Sequence, residues 1–413
     1  MRPRVVTFFV VAIAVIVLLY AFGGVKRPVA SGAASRLTGA ASARFTPLSA
    51  SFPTARRGWV LGTVPCAVRP ACVQLRTTRD GGATWTVDAL PTALLTLVDQ
   101  RYHTTIAALN STGLGVRFAN ARDGWIYGTI DSFDYYGGIT TSRWVVLLWS
   151  THDGGTTWRR LNPPGLASQG PLYDLEVSKS EAYLLGDGPK FTAVLVASPV
   201  HRDHWRVVST PPLPPSTGGS ETTGNIVVSG HAGWLVEGGD RGITGSLRLG
   251  PGGQWLAWSP PCASVGNSYV VPVASDARHL VVVCEIGGVF AQPSPKAPPG
   301  ATPGSWWLYS SSDAGTTFHA VRELHGVNGY FSVLASPTPR VMFLQYDRGS
   351  GLELVMSRDA GKSAQVVFRG TVTYLHFENA SDGIGVVTSR SDTPEMIVTH
   401  DGGRSWHVQR FTT

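Results

Sequence analysis

A chain of 413 residues holds one large domain or two to three ordinary ones, and 48 glycines with only 15% charged residues fit turn-rich β structure better than a helix bundle. The formal charge of +7 is concentrated at one end: residues 1–43 carry Arg2, Arg4, Lys26, Arg27 and Arg36 and no acid, whereas the rest carries 29 basic and 27 acidic side chains. A body so close to neutral excludes the broad basic footprint of a nucleic-acid binder.

In chain order, residues 1–4 read as a cytoplasmic N-terminus and 5–22, "VVTFFVVAIAVIVLLYAF", as a transmembrane signal anchor, uncharged and long enough to cross a bilayer as a short helix. Residues 23–43 form a linker. "ASA" at 41–43 resembles a signal-peptidase site, so a cleaved, secreted form is the alternative, although it lies far beyond the apolar run. The expected location is the cell membrane, single-pass, with the body on the extracytoplasmic side. Four cysteines suit that compartment. Cys66 and Cys72 bracket a short loop, and Cys262 and Cys284 flank a strand pair, so two local disulfides are expected. Free buried thiols and a zinc site are the other readings, and neither pair has the CxxC spacing that zinc favours.

Within 44–413, short apolar or β-branched runs alternate with Gly, Pro and Asn turns, the pattern of β-strands. One nine-residue phrase recurs: "TTRDGGATW" (77–85), "STHDGGTTW" (150–158), "SSSDAGTTF" (310–318), "MSRDAGKSA" (356–364) and "VTHDGGRSW" (398–406). Its aspartates are Asp80, Asp153, Asp313, Asp359 and Asp401, and its aromatics Trp85, Trp158, Phe318 and Trp406. "HRDHWRVV" (201–208), with His201 and His204, and "GPGGQWLAW" (250–258) are degenerate copies. A second phrase lies upstream of each, as in "ARRGWVLG" (55–62), "ARDGWIYG" (121–128) and "HAGWLVEG" (231–238), and it too counts to seven. A period of roughly 42–66 residues with about four short strands describes a propeller blade, so the expected fold is all-β, a seven-bladed β-propeller behind one N-terminal transmembrane helix. The first and last strands are expected to meet and close the ring. Each Asp is expected to serve as a turn residue that binds backbone N–H groups, with a following Gly at positive φ and the aromatic packed between sheets. An active site needs one constellation rather than five.

On these phrases the chain resembles the Asp-box (bacterial neuraminidase repeat) propellers, a family that includes sialidase-like domains and photosystem assembly factors. The resemblance implies the blade hairpin and leaves activity open, because the family holds glycosidases, carbohydrate binders, receptors and scaffolds. A sialidase would add an arginine triad, a Tyr–Glu nucleophile pair and an Asp acid/base. "RFTP" at 44–47 departs from the family's "RIP"-like signature, with Arg44 as its one match.

The insertion "TIDSFDYYGGITTSR" (129–143) is the richest candidate for ligand contact, offering Asp131, Asp134, Tyr135, Tyr136 and Arg143 on a loop or extended hairpin. Glu176, Glu237, Glu285 and Glu378 lie in or beside strands, some of them pointing at a central channel. Pro-rich inserts at 211–219 and 293–307 read as surface spacers. No HExxH, P-loop or nucleophile elbow is present, and neither metal nor cofactor is expected. The expected function is a non-catalytic binding module or assembly scaffold at the cell envelope, with the membrane and an envelope protein or glycan as partners. A glycoside hydrolase using central carboxylates is the alternative.

Overall fold

The computed structural model describes residues 45–411 except 67–71, 102–113, 137–138, 169, 190–191, 214–222, 240–241, 264–269, 287–297, 299, 303, 326–333, 348–350 and 389–393. The proposed anchor at 5–22 and the linker lie outside the described residues. Among those described, no helix is long and apolar enough to cross a membrane.

The seven upstream phrases each become the second strand of a four-stranded antiparallel sheet, and there are seven such sheets. Blade 1 is Thr46–Ser51, Gly58–Val64, Cys72–Thr78 and Thr86–Asp88; blade 2 is Gly115–Phe118, Gly124–Tyr136, Ile139–Thr151 and Arg159–Arg160. Blade 3 is Leu172–Val177, Glu181–Asp187, Ala193–Pro199 and Arg206–Val207; blade 4 is Thr223–Ser229, Ala232–Gly239, Gly242–Leu249 and Trp255–Ala257. Blades 5, 6 and 7 begin at Val270–Ala274, Leu334–Thr338 and Thr371–Phe377 and end at His319–Leu324, Gln365–Arg369 and His407–Gln409. The first strands of successive blades touch one another around the ring, and those of blades 7 and 1 touch as well, so they line the axis. A helix, Thr92–Arg101, lies in the connection between blades 1 and 2.

Burial follows from this order. Second strands are covered on both faces by neighbouring blades, which is why "GWVLGTV" is buried along nearly its whole length. Outermost strands are only two or three residues long in blades 1–4 and 7, and they leave Val87, Val207, Leu256 and Val408 about half exposed. Such short edges offer little to a foreign strand.

Innermost strands pair on one side only, so N–H groups on the other side need partners. The preceding blade supplies them through side chains. Ser49 and Ser51 of blade 1 accept from the Val116 and Phe118 amides (3.2 and 2.8 Å), and Thr129 of blade 2 from Leu172 (2.7 Å). Asp174 of blade 3 accepts from Ile226 (2.9 Å), and Gln345 of blade 6 from Val372.

Ring closure differs from the expectation. The first strand of blade 1 meets the first three strands of blade 7, but among the described residues no sheet holds strands from both ends of the chain. Closure is made by side chains: Phe45 and Phe411 pack edge to face at 4.6 Å, and the Arg76 guanidinium lies over both rings while donating to the Phe411 carbonyl. Gln409 Nε2 donates to the Gly82 carbonyl at 2.6 Å. Val60 and Trp85 of blade 1 share one apolar cluster with Val386 and Met396 of blade 7. Cys66–Cys72 and Cys262–Cys284 are disulfide-bonded; the first closes a hairpin and the second ties the connection after blade 4 to the second strand of blade 5.

Candidate functional site

The recurring aspartates stand one per blade, in blades 1, 2, 5, 6 and 7, between third and fourth strands, and do not share a cleft. Asp153 accepts from the Thr157 amide (2.9 Å), the Thr157 hydroxyl (2.6 Å) and the Thr151 hydroxyl (2.8 Å), and Thr151 Oγ1 in turn accepts from the Gly155 amide (2.9 Å). Asp80, Asp313, Asp359 and Asp401 repeat this pattern with Thr84, Thr317, Ser363 and Ser405. Hydrogen bonds to the ionised form hold the Asp80 and Asp359 carboxyls at about 2, and Asp313 and Asp401 lower still. Both glycines of "DGG" take positive φ in blade 2, and Ala314 and Ala360 adopt φ 59° at the first of these positions in blades 5 and 6. The aromatics pack within their blades and between them: Trp85 meets Phe52 and, closer, Phe411 beyond blade 7, Trp158 meets Phe118, Trp406 meets Phe377 and Phe343 of blade 6, and Phe318 meets Trp258 of blade 4.

Each turn also fastens onto the blade before it. Trp59 Nε1 of blade 1 donates to the Gly154 carbonyl of blade 2 (3.2 Å), and Trp234 Nε1 of blade 4 to Ala314 of blade 5 (3.1 Å). The turns stand beside the loops that follow the first strands, as the Gly154 amide bonding the Arg122 carbonyl shows (2.8 Å). The ring therefore has a turn end and, opposite it, an end bearing the hairpins between second and third strands.

The insertion 129–143 lies in one such hairpin. Second and third strands of blade 2 run to 13 residues each and stay paired to Tyr136↔Ile139, forming an arm. The backbone register pairs Asp131 with Trp144, Ser132 with Arg143, Asp134 with Thr141 and Tyr135 with Thr140 along this arm. The expected ligand residues Asp131, Asp134, Tyr135, Tyr136 and Arg143 thus lie along the backbone of this arm, at the end of the ring away from the Asp turns.

At the turn end, the axis opens into a depression of about 490 Å³. One wall, from blades 4, 5 and 6, is largely apolar, with Val227, Val271, Val273 and Ala335. The other, from blades 2, 3 and 7, carries Arg117, Glu176, Tyr374, His376 and Glu378. Arg117 Nη2 donates to Glu176 Oε1, and the two side chains keep 16% and 22% exposure, so the pair faces the opening. Burial pushes the Glu176 carboxyl up to about 7, against the pull of Arg117 and with the help of Asp174 two residues away. Burial likewise raises Asp174. Burial opposes the Arg117 charge, but Glu176 and its other neighbours outweigh it and keep the guanidinium protonated. Burial and Arg117 hold His376 down at about 4, a neutral imidazole at physiological pH. Tyr374 rises to about 12 through burial.

Glu176 and Glu378 therefore reach the depression, as their strand positions allow. Glu237 does not: it is fully buried near Asp187, and Glu285 sits half-buried in the second strand of blade 5. Sequence reasoning missed Arg117, Asp174, Tyr374 and His376. A signal was present in the alternation of "TVTYLHFE", which sets Tyr374, His376 and Glu378 on one face at period two. Among the described residues, no group of three or more His, Cys, Asp or Glu side chains could hold a metal ion.

No family model and no curated protein matches the chain. Among solved structures, YCF48 from Cyanidioschyzon merolae matches at 16% identity and TM-score 0.50, over 87% of this chain and 95% of that one. The β-propeller domain of the Trilobed protease from Pyrococcus furiosus matches at 8% and 0.51, over 90% and 97%. A Mycobacterium tuberculosis puromycin-hydrolyzing peptidase matches at 12% and 0.52, over 90% of this chain and 53% of that chain. At these identities the likeness establishes the seven-bladed β-propeller fold.

Proposed function

We propose that the chain is a non-catalytic, extracytoplasmic propeller of the Asp-box type, tethered through residues 5–22, which binds a protein segment in the depression at the turn end. The observation carrying this reading is that the Glu176 and Asp174 carboxyls are built into the frame. Glu176 is paired with Arg117 of the neighbouring blade, and Asp174 accepts the Ile226 amide of the next, so blades 2, 3 and 4 are joined through them. A catalytic acid or base needs a carboxyl free to reach substrate. An apolar wall facing a charged and aromatic one suits an extended segment whose side chains alternate in character. Disulfides favour an oxidising compartment. The arm of blade 2 is a second contact surface in this reading.

A photo-crosslinking residue at Thr373, exposed inside the depression, is expected to form a light-dependent adduct with one envelope protein in intact cells. The same residue at Val207, on an outer edge, should not. Adducts of equal yield at both sites would remove the assignment of the depression.

One observation favours the glycoside-hydrolase alternative: two neighbouring carboxyls, Asp174 and Glu176, are both raised by burial beside the cavity. Its test is turnover of aryl glycosides by the purified chain, with loss of turnover in Glu176→Gln at unchanged Tm.

A further inference from the structure

Between blades 3 and 4, away from the depression, a second acidic pair is shut inside the ring. Glu237, in the second strand of blade 4, is fully buried, and neither of its carboxyl oxygens has a hydrogen-bond partner. Asp187 closes the second strand of blade 3 with 3% exposure. Tyr173, in the first strand of blade 3, donates its hydroxyl to Asp187 Oδ1 at 2.7 Å. Glu237 pairs with Gly224, where a Cβ would lie 3.2 Å from the Tyr173 Cβ, and the Asp187 charge acts on both Glu237 and Tyr173, so the three groups form one cluster.

An orphaned buried carboxylate beside another acid is strongly unfavourable unless something compensates it. A proton answers only in part: it neutralises one oxygen of Glu237 and leaves the other without a donor. A cation satisfies both oxygens together. We infer that this cluster is a binding site for a hard divalent cation, calcium first, held by Glu237 and Asp187 with the Tyr173 oxygen alongside. The donors are all oxygen, which disfavours zinc or copper, and two carboxylates balance two positive charges. Two carboxylates are fewer than a high-affinity cage uses, so backbone carbonyls and water complete the shell and the affinity falls at roughly 0.1–1 mM, suited to an extracellular module. The ion joins the second strands of blades 3 and 4 near the axis, as the Asp174–Ile226 bond joins their first strands. This site stands whatever the depression binds.

Thermal melting of the purified full chain tests it, after dialysis against chelator and titration with calcium chloride. Tm should rise by about 1–3 °C by roughly 10 mM calcium, climbing with the logarithm of its concentration once this exceeds about 1 mM. Glu237→Gln should abolish the rise and, without calcium at neutral pH, melt no lower than the parent chain, because an amide removes the orphaned charge. Glu285→Gln should keep the rise. Terbium added to the parent chain and excited through tyrosine should emit, and calcium should quench that emission competitively; this holds even if the variant fails to fold. A parent Tm indifferent to calcium together with no calcium-competed terbium emission overturns the proposal, as does a full calcium response in Glu237→Gln.

Discussion

At the residue scale, the five aspartates and the buried glutamates act on stability in opposite senses. Asp80 and Asp359 are held at about 2 by their turns, below an unfolded value near 4. Their contribution is complete above pH 4 and is lost as pH falls towards 2. Glu237 is raised to about 7, so the folded chain retains its proton longer than the unfolded chain does, and ionising it erodes stability as pH rises from about 4.5 to 7. In the absence of calcium, Tm against pH should therefore pass through a maximum on the acid side of neutrality, and Glu237→Gln should flatten the neutral limb only; differential scanning calorimetry at pH 3–8 reads both. Asp153→Ala removes three hydrogen bonds from an exposed turn and should lower Tm by about 2–4 °C while leaving ligand binding intact. The turn chemistry of these residues was legible from recurrence, since hydroxyl, Asp, Gly and hydroxyl at fixed offsets already form a closed hydrogen-bond set. The Arg117–Glu176 pair was not legible. Its partners lie 59 residues apart on different blades, and only ring geometry brings them together.

At the element scale, the Asp turn is a clasp between blades as well as a bend within one. Trp59 illustrates this: it is fully buried, stacked on Phe118 of blade 2 at 3.6 Å, and donates to Gly154 of the same blade. Trp59→Phe should keep most of the stack, lose the donor and cost about 1–2 kcal/mol by denaturant unfolding. The second glycine of the turn needs space as well as its backbone conformation. A Cβ on Gly403 would lie 2.3 Å from the Phe343 ring of blade 6, whereas one on Gly253, also at positive φ, meets nothing within 4 Å. Gly253→Ala should cost about 1 kcal/mol for the left-handed backbone alone, and Gly403→Ala about 2–4 kcal/mol because packing adds to it. Equal losses would show that the turns do not clasp their neighbours. All seven second strands were legible because burial on both faces gives a short apolar run after a small or polar turn. The blade 2 arm was legible as a loop or extended hairpin, and nothing in "DYYGGIT" says how far the pairing runs.

At the scale of the whole molecule, the ring is closed by packing between blades 7 and 1 rather than by a strand shared between the chain ends. Phe411→Ala together with Arg76→Ala should therefore make that junction the first to open, seen as amide exchange accelerated in blades 1 and 7 before blades 3 to 5. Uniform exchange across the ring would contradict closure by those contacts. The seven blades could be counted from sequence because each carries its own copy of the two phrases. The mode of closure could not, because it depends on which blade the first strand joins. The asymmetry of the axis, apolar on blades 4 to 6 and charged on blades 2, 3 and 7, gives the ring a directional opening and underlies the proposed binding role. The most direct measurement of that role is light-dependent crosslinking from Thr373 in living cells, run beside the same probe at Val207. A single protein adduct at Thr373 and none at Val207 is the predicted result. No adduct at Thr373, with glycoside turnover that disappears in a stably folded Glu176→Gln chain, would contradict it.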